Sequence, residues 1–182
     1  LAVFSAPGEF NFKIGDVPFR PYWDFEWNTE GRQRIQNVYL SSVNQSTTNT
    51  ESLAAIRSQN KALGDDVAWA TGLQIGQNKK KGDWSVLGEF RQIGLGAVDQ
   101  NINGTDFADS YANQQGLKFS GVYNFTDFLT GTVTYFNTWN YKSNLFDSLT
   151  AAPTPGSNAA SAYALVPANT TQRVEVDLQW KF

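Results

Sequence analysis

The stretch Thr171-Gln-Arg-Val-Glu-Val-Asp-Leu-Gln-Trp-Lys-Phe182 alternates polar and apolar side chains without a break over its last ten residues, 173–182. Successive side chains of a β-strand point to opposite faces, so this period of two places every apolar side chain on one face. The pattern therefore predicts a strand with one polar and one apolar face. The apolar set, which ends on an aromatic residue, consists of Val174, Val176, Leu178, Trp180 and Phe182.

The same alternation recurs upstream, which gives about seven strands in all. Tight connections that contain Gly, Asn or Asp alternate with long connections that are rich in Asn, Ser, Thr, Ala and Gly. Short turns at one rim and long loops at the other are typical of an outer-membrane barrel. The six further strands are predicted at 9–15, 17–28, 67–77, 83–94, 115–125 and 129–141.

The fold class that follows is all-β: an antiparallel up-and-down transmembrane β-barrel with short periplasmic turns and long extracellular loops. Residues 1–182 are predicted to form a single barrel domain or the C-terminal fragment of one. The alternative is a soluble β-sandwich, whose strands also alternate. The long loops are predicted at 29–66, 95–114 and 143–170.

Composition narrows the function of the 182-residue chain. It has neither His nor Cys, which removes the commonest general base, thiol nucleophiles and disulfides. Ser and Asp are plentiful, but no nucleophile–base constellation can be picked out, and we expect no cofactor. The net charge of -3 argues against nucleic acid as a partner. No apolar run approaches the ~18 residues that a membrane helix needs, whereas barrel strands carry a much weaker apolar signal.

Aromatic residues bracket the predicted strands. Phe19 and Trp27 are eight residues apart, which corresponds to roughly 20 Å along the membrane normal at the usual rise and tilt. A barrel carries an apolar band about 25 Å tall between two aromatic girdles. The girdle is predicted to include Phe19, Trp27, Trp69, Trp84, Phe125, Phe128, Trp139 and Tyr141.

The polar faces of the strands would line an aqueous lumen. Six acidic and six basic residues occupy these faces, so they predict no strong ion preference. Such a lumen suits small polar solutes and hydrated ions, and each charge can equally be a solvated or salt-bridged wall residue. The predicted pore-lining residues are Glu9, Lys13, Arg20, Asp24, Glu26, Glu89, Arg91, Lys118, Arg173, Glu175, Asp177 and Lys181.

One loop segment resembles half of a calcium loop. Asp99, Asn101 and Asn103 stand at alternate positions before Gly104, as oxygen ligands do in the first half of an EF-hand. The bidentate Glu at position twelve is absent, because Ser110 stands there. We interpret the segment as an Asn- and Gly-rich turn, with calcium binding as the alternative and no other metal expected.

Several short runs, taken in order, carry a family resemblance. They are Gly72-Leu-Gln-Ile-Gly76, Lys79-Lys-Lys-Gly-Asp-Trp84, Glu89-Phe-Arg91, Ala97-Val98, Asp106-Phe107, Gly116-Leu-Lys118, Thr134-Tyr-Phe136 and Val176-Asp-Leu-Gln-Trp-Lys-Phe182. In these runs the chain resembles the C-terminal portion of the barrel in the bacterial outer-membrane porin family. The resemblance implies a water-filled channel for passive diffusion across a Gram-negative outer membrane, with no enzyme activity. It also implies that the terminal strand, with Val174 to Phe182, is read by the barrel-insertion machinery.

Seven strands do not suffice for such a barrel, since bacterial single-chain barrels have an even number of at least eight. We therefore expect Leu1 to be an interior point of a longer protein, or another chain to supply the remaining strands. The family also implies a homotrimer as one assembly state. Two other functions stay open: a structural or complex-forming outer-membrane barrel, and a secreted soluble β-domain that binds glycans.

Overall fold

The computed structural model describes residues 2–33, 66–98, 106–108, 111–142 and 170–181. These residues form one antiparallel sheet, and each long strand pairs with the long strands next to it in sequence. The all-β, up-and-down prediction is thereby confirmed. The strands are β1 (Val3–Ser5), β2 (Gly8–Glu9), β3 (Phe12–Ile14), β4 (Val17–Asn28), β5 (Val67–Gly76), β6 (Trp84–Ile93), β7 (Gln114–Asn124), β8 (Leu129–Asn140) and β9 (Thr170–Trp180).

The first three strands act as one. β1, β2 and β3 all pair with β4 in a single register, which runs from Val3 opposite Asn28 to Ile14 opposite Val17. Between them, the amide N–H of Ala6 donates to the carbonyl of Phe25 at 2.8 Å. We call residues 3–14 the N-terminal strand. It begins earlier than the predicted 9–15, whereas the other six predicted strands agree with the structure to within two residues.

The connections divide the sheet into two rims. The hairpins β3–β4, β5–β6 and β7–β8 close at one rim, which we call the short-turn rim. Gly15 has φ +61° as the first central residue of the two-residue β3–β4 turn, a conformation that glycine adopts without strain. In the β7–β8 turn, the Thr126 hydroxyl accepts the amide N–H of Leu129 at 2.8 Å. The longer connections leave from the opposite, long-loop rim.

The sheet is open within the described residues. The N-terminal strand pairs with β4 alone and β9 pairs with β8 alone, so each leaves one edge without a partner strand. The described part of the chain contains no helix that is long and apolar enough to cross a membrane.

The two faces of the sheet differ in composition and in exposure. The apolar face carries Val176 and Leu178, which are 69% and 73% exposed. The opposite, polar face carries Glu89 and Thr138, which are only 7% and 1% exposed. This distribution is the reverse of the usual one, because charged groups are rarely buried unless they are paired.

Candidate functional site

The polar face collects every charge that the sequence predicted for the lumen. In antiparallel register, paired residues lie on the same face, and Glu89 pairs with Lys118 across β6 and β7. By the same register and alternation, all twelve predicted pore-lining residues lie on this face. Their placement on one face is what the lumen prediction requires, while their role in a pore remains a proposal.

A recess of about 570 Å³ opens on the polar face over β4, β5 and β6. Six of the predicted residues line it, together with small side chains from β5 that leave room above the sheet. These six charged residues are Glu9, Arg20, Asp24, Glu26, Glu89 and Arg91.

Tyr22 forms the floor of this recess. Its side chain crosses β5 above Gly72, and its hydroxyl donates a hydrogen bond to Glu89 on β6. A Cβ atom at position 72 would lie 2.6 Å from the Tyr22 hydroxyl oxygen, so only glycine leaves the path clear. The same carboxylate pairs with Arg91, whose Nη2 lies 2.9 Å from Glu89 Oε1. The buried charge of Glu89 is therefore balanced within the recess.

Arg20 and Glu9 continue this network towards the N-terminal edge. The Arg20 guanidinium lies 3.6 Å from Glu9 Oε2, donates a hydrogen bond to Gln74, and stands 5.9 Å from the centre of the Tyr22 ring. Both Arg20 and Glu9 are half exposed, so this pair contributes little to stability on its own. Its effect is to hold a cation and an anion at fixed positions on the wall of the recess.

Asp24 and Glu26 form the acidic side of the recess, and neither has an ion-pair partner among the described residues. They stand two residues apart on β4, opposite Ala70 and Ala68 on β5. Within the described residues, Asp24 Oδ1 is buried without a hydrogen-bond partner. These two groups therefore add two negative charges to the long-loop side of the recess, which the Arg91 guanidinium offsets in part at Glu26.

The connection after β6 turns back onto the polar face. Ala97 is fully buried and Phe107 is 3% exposed, and both pack against Ile93 and Phe136 of the sheet. The Arg91 guanidinium stands 5.2 Å from the centre of the Phe107 ring, within the range of a cation–π contact. Residues 95–98 and 106–108 of this predicted loop thus lie against the face that carries the charges.

The other half of the polar face holds a second, smaller set of contacts. Arg173 Nε lies 2.6 Å from Glu175 Oε1 on β9. Lys118 Nζ stands 5.5 Å from the centre of the Phe136 ring on β8. Lys13, Asp177 and Lys181 lie on the same face but are not drawn into the recess.

The apolar face carries the predicted membrane contacts. Of the terminal set, Val174, Val176, Leu178 and Trp180 are 56–73% exposed, and Phe182 lies outside the described residues. Within the predicted girdle, Phe19, Trp84, Phe125 and Phe128 lie near the short-turn rim. Trp27, Trp69, Trp139 and Tyr141 lie near the long-loop rim.

Ring contacts join parts of these two rows. At the long-loop rim, the Phe90 ring centre lies 5.2 Å from that of Trp69 and 6.4 Å from that of Trp139. At the short-turn rim, the ring centres of Phe128 and Trp180 are 5.3 Å apart. Phe90, which was not among the predicted girdle residues, thus joins Trp69 and Trp139 on the apolar face.

Sequence reasoning missed three residues of the recess network: Tyr22, Gln74 and Phe107. Tyr22 and Gln74 are uncharged, so a search for charges on the polar face passed over them. The two-residue alternation could have found both, because it places Tyr22 and Gln74 on the polar face of their strands. Phe107 offered no periodic signal because it belongs to a long connection, and its contact with Arg91 depends on how that connection folds back.

The structure bears on the metal predictions only where residues are described. Asp99, Asn101 and Asn103, the calcium candidate, lie outside the described residues. Among the residues that are described, no group of three or more acidic side chains could hold a metal ion.

Comparison of the chain with family models, with curated proteins and with solved structures finds no match.

Proposed function

We propose that this chain is part of an outer-membrane porin, a β-barrel that passes small polar solutes and ions by passive diffusion. One observation carries the proposal: the apolar face of the sheet is exposed, whereas the polar face buries charged and polar side chains such as Glu89 and Thr138. Val133, on β8, is 53% exposed on the apolar face, whereas Glu89 is 7% exposed on the polar face. Hydrocarbon around the sheet and water within it would satisfy both faces.

The extent of the apolar face supports a lipid surface as its occupant. Exposed large apolar side chains occur on every long strand from β4 to β9. A soluble monomer rarely exposes one contiguous apolar patch of more than a few hundred Å². The aromatic residues near both rims match the positions at which Trp and Tyr meet lipid headgroups in barrels.

The polar face supports a wet channel better than a dry core. Its recess holds opposite charges at fixed positions, Glu89 with Arg91 and Glu9 with Arg20. A lumen of this kind screens solutes by size and by local charge rather than by tight binding. The segment that carries Phe107 lies on the same face and would narrow the lumen beside Arg91.

Closure of the barrel is part of the proposal. An open sheet edge in hydrocarbon would leave backbone groups unpaired, at several kcal/mol each. The N-terminal strand and β9 both present such an edge, so further strands would pair with them. The exposed apolar residues of β9 are those that the barrel-insertion machinery would read.

Ion conductance tests the proposal. The intact protein is reconstituted into planar bilayers, and we expect stepwise current increments with a linear voltage dependence, together with swelling of vesicles in small sugars. Insertion into membranes without conductance would indicate a plugged, complex-forming barrel instead. A protein that remains a soluble monomer in the absence of detergent would contradict the membrane assignment altogether.

A further inference from the structure

The connection between β5 and β6 carries three consecutive lysines, Lys79, Lys80 and Lys81, which we call the lysine turn. All three are exposed. Within the described residues, no ion pair involves their ammonium groups. Like charges in adjacent positions repel one another, so their concentration in one short turn needs a compensating anion or remains a cost.

The backbone of the lysine turn is held in one conformation. Asp83 Oδ2 accepts the amide N–H of Lys79 at 3.0 Å and that of Lys80 at 3.2 Å. Asp127, from the neighbouring β7–β8 turn, accepts the amide N–H of Lys81 at 2.9 Å. The carboxylates of Asp83 and Asp127 are therefore engaged with backbone donors rather than with the lysine side chains.

A buried asparagine ties the two turns together. Asn124, 5% exposed, donates from Nδ2 to the carbonyl of Lys80 at 3.1 Å. The backbone carbonyl of Asn124 accepts the amide N–H of Gly82 at 2.8 Å. Gly82 has φ +83°, a value that side chains strongly disfavour. The lysines thus project from a braced platform, and little backbone entropy would be lost on binding.

The lysine turn lies directly beyond the aromatic residues of the short-turn rim. Trp84 begins β6 two residues after Gly82 and is 48% exposed on the apolar face. Tyr123 pairs with Trp84 in register and is 46% exposed. Aromatic rings at a membrane boundary sit at the level of the headgroups, and lysines beyond them reach the phosphates.

We propose that the lysine turn is a binding surface for the phosphate groups of anionic phospholipids. This inference rests on the proposed membrane function, which places the short-turn rim at a leaflet surface. Phospholipid is the occupant because the cations adjoin an exposed aromatic row, which a soluble anion would not need. The braced backbone keeps the three lysines in one short exposed turn, and each lysine near an anionic surface adds about 1 kcal/mol of attraction.

Lipid selectivity of the assembled protein tests the inference. The protein is placed in phosphatidylcholine vesicles with added phosphatidylglycerol, and spin-labelled lipids report which headgroup is enriched at its surface. We expect roughly tenfold enrichment of phosphatidylglycerol at low salt, decreasing at high salt. Replacing the three lysines together, K79Q, K80Q and K81Q, should abolish it, whereas K79R, K80R and K81R together should keep it. K142Q, at the long-loop rim, should also keep it.

The outcomes separate this inference from the proposed function. If the wild type inserts but shows no headgroup preference, or if the Gln variant keeps that preference, the lysine turn is not a lipid site while the porin proposal stands. If inorganic phosphate abolishes the enrichment more strongly than chloride at equal ionic strength, the turn binds a soluble anion and the lipid assignment fails. If the protein inserts into no vesicle, the membrane proposal itself fails.

Discussion

At the scale of single residues, the recess depends on the missing side chain at Gly72. The Tyr22 ring occupies the space above this glycine, and its hydroxyl reaches Glu89 two strands away from its own. A group as buried as Glu89 is costly unless its charge is compensated. Tyr22 and Arg91 supply that compensation from two sides, so Gly72 indirectly keeps one of the two partners of Glu89 in place.

Gly72→Ala should therefore destabilise the protein. The added Cβ would overlap the Tyr22 side chain, and overpacking of this kind costs about 1–3 kcal/mol. Urea unfolding in a fixed lipid or detergent measures the loss. Gly121→Ala is the matched control because it also alters a strand glycine but finds no atom within 4 Å. Equal stability of the two variants would contradict the role given to Gly72.

In the proposed channel, the acidic pair Asp24 and Glu26 should bias permeation towards cations. Removing both charges by D24N and E26Q should shift the cation-to-anion permeability ratio towards anions by roughly two- to fivefold, as expected for two charges near a wet pathway. The reversal potential in a salt gradient measures this ratio. D16N, in the β3–β4 turn outside the recess, should leave it unchanged. An identical reversal potential in all three proteins would place the pair away from the conducting path.

At the scale of the strand, the key property is the difference between its two faces. On β8, Thr132 lies on the polar face and Val133, its neighbour in sequence, lies on the apolar face. An arginine at either position adds the same charge at nearly the same height in the sheet. The pair therefore isolates the direction in which the side chain points.

Val133→Arg should block stable membrane assembly, and Thr132→Arg should not. A lipid-facing arginine costs about 2–4 kcal/mol near the bilayer midplane. The Thr132 position instead faces the polar side opposite Asp177, where a cation finds an anion. Heat-modifiable mobility on gels and urea unfolding in vesicles compare the two. If Thr132→Arg were the more damaging substitution, the assignment of the faces would be reversed.

The connection after β6 is an element in its own right because it packs as a core segment does. Phe107→Ala should loosen it, with a cost on the order of 3 kcal/mol for the lost burial. Amide exchange checks this, since the Tyr111 N–H donates to the Ala108 carbonyl at 2.9 Å and should lose about a hundredfold of its protection. Phe119→Ala, on the apolar face, should spare that amide. Unchanged protection in Phe107→Ala would show that other contacts hold the segment.

At the scale of the whole molecule, the direction of the strands restricts how the sheet can close. Six antiparallel steps separate the N-terminal strand from β9, so these two edge strands run in the same direction. Pairing them directly would require a parallel pair. An odd number of further strands would let every pair remain antiparallel, which agrees with the even totals of bacterial barrels.

Engineered disulfides test whether the sheet closes on itself, and the absence of native Cys makes the readout clean. Val133→Cys with Val176→Cys should cross-link, because these residues are register partners on β8 and β9. Phe12→Cys with Leu178→Cys, on the two edge strands near the short-turn rim, should not cross-link within one chain. Gel mobility under non-reducing conditions distinguishes these cases. An intrachain cross-link in the second pair would remove the need for additional strands.

Much of this architecture could be predicted from sequence because strand and face both follow from a period of two. β9 shows this best, since its alternation defined the apolar set that the structure leaves exposed. The early part of the N-terminal strand was missed because residues 4–8, Phe-Ser-Ala-Pro-Gly, alternate poorly. The Tyr22–Glu89 bond joins residues 67 positions apart, and such a contact depends on strand register, which periodicity does not provide.

The free edge of the N-terminal strand affects where the proposed closed barrel would begin to unfold. The amides of Ala6 and Phe10 donate to β4, so Pro7, of opposite parity, faces the free margin and offers no donor there. A further strand that pairs with this edge therefore loses at least one backbone hydrogen bond. The free edge of β9 contains no proline, so it can donate along its full length. We expect the strand pairing at this edge to be the weakest in the closed barrel and the first to separate as the denaturant concentration rises.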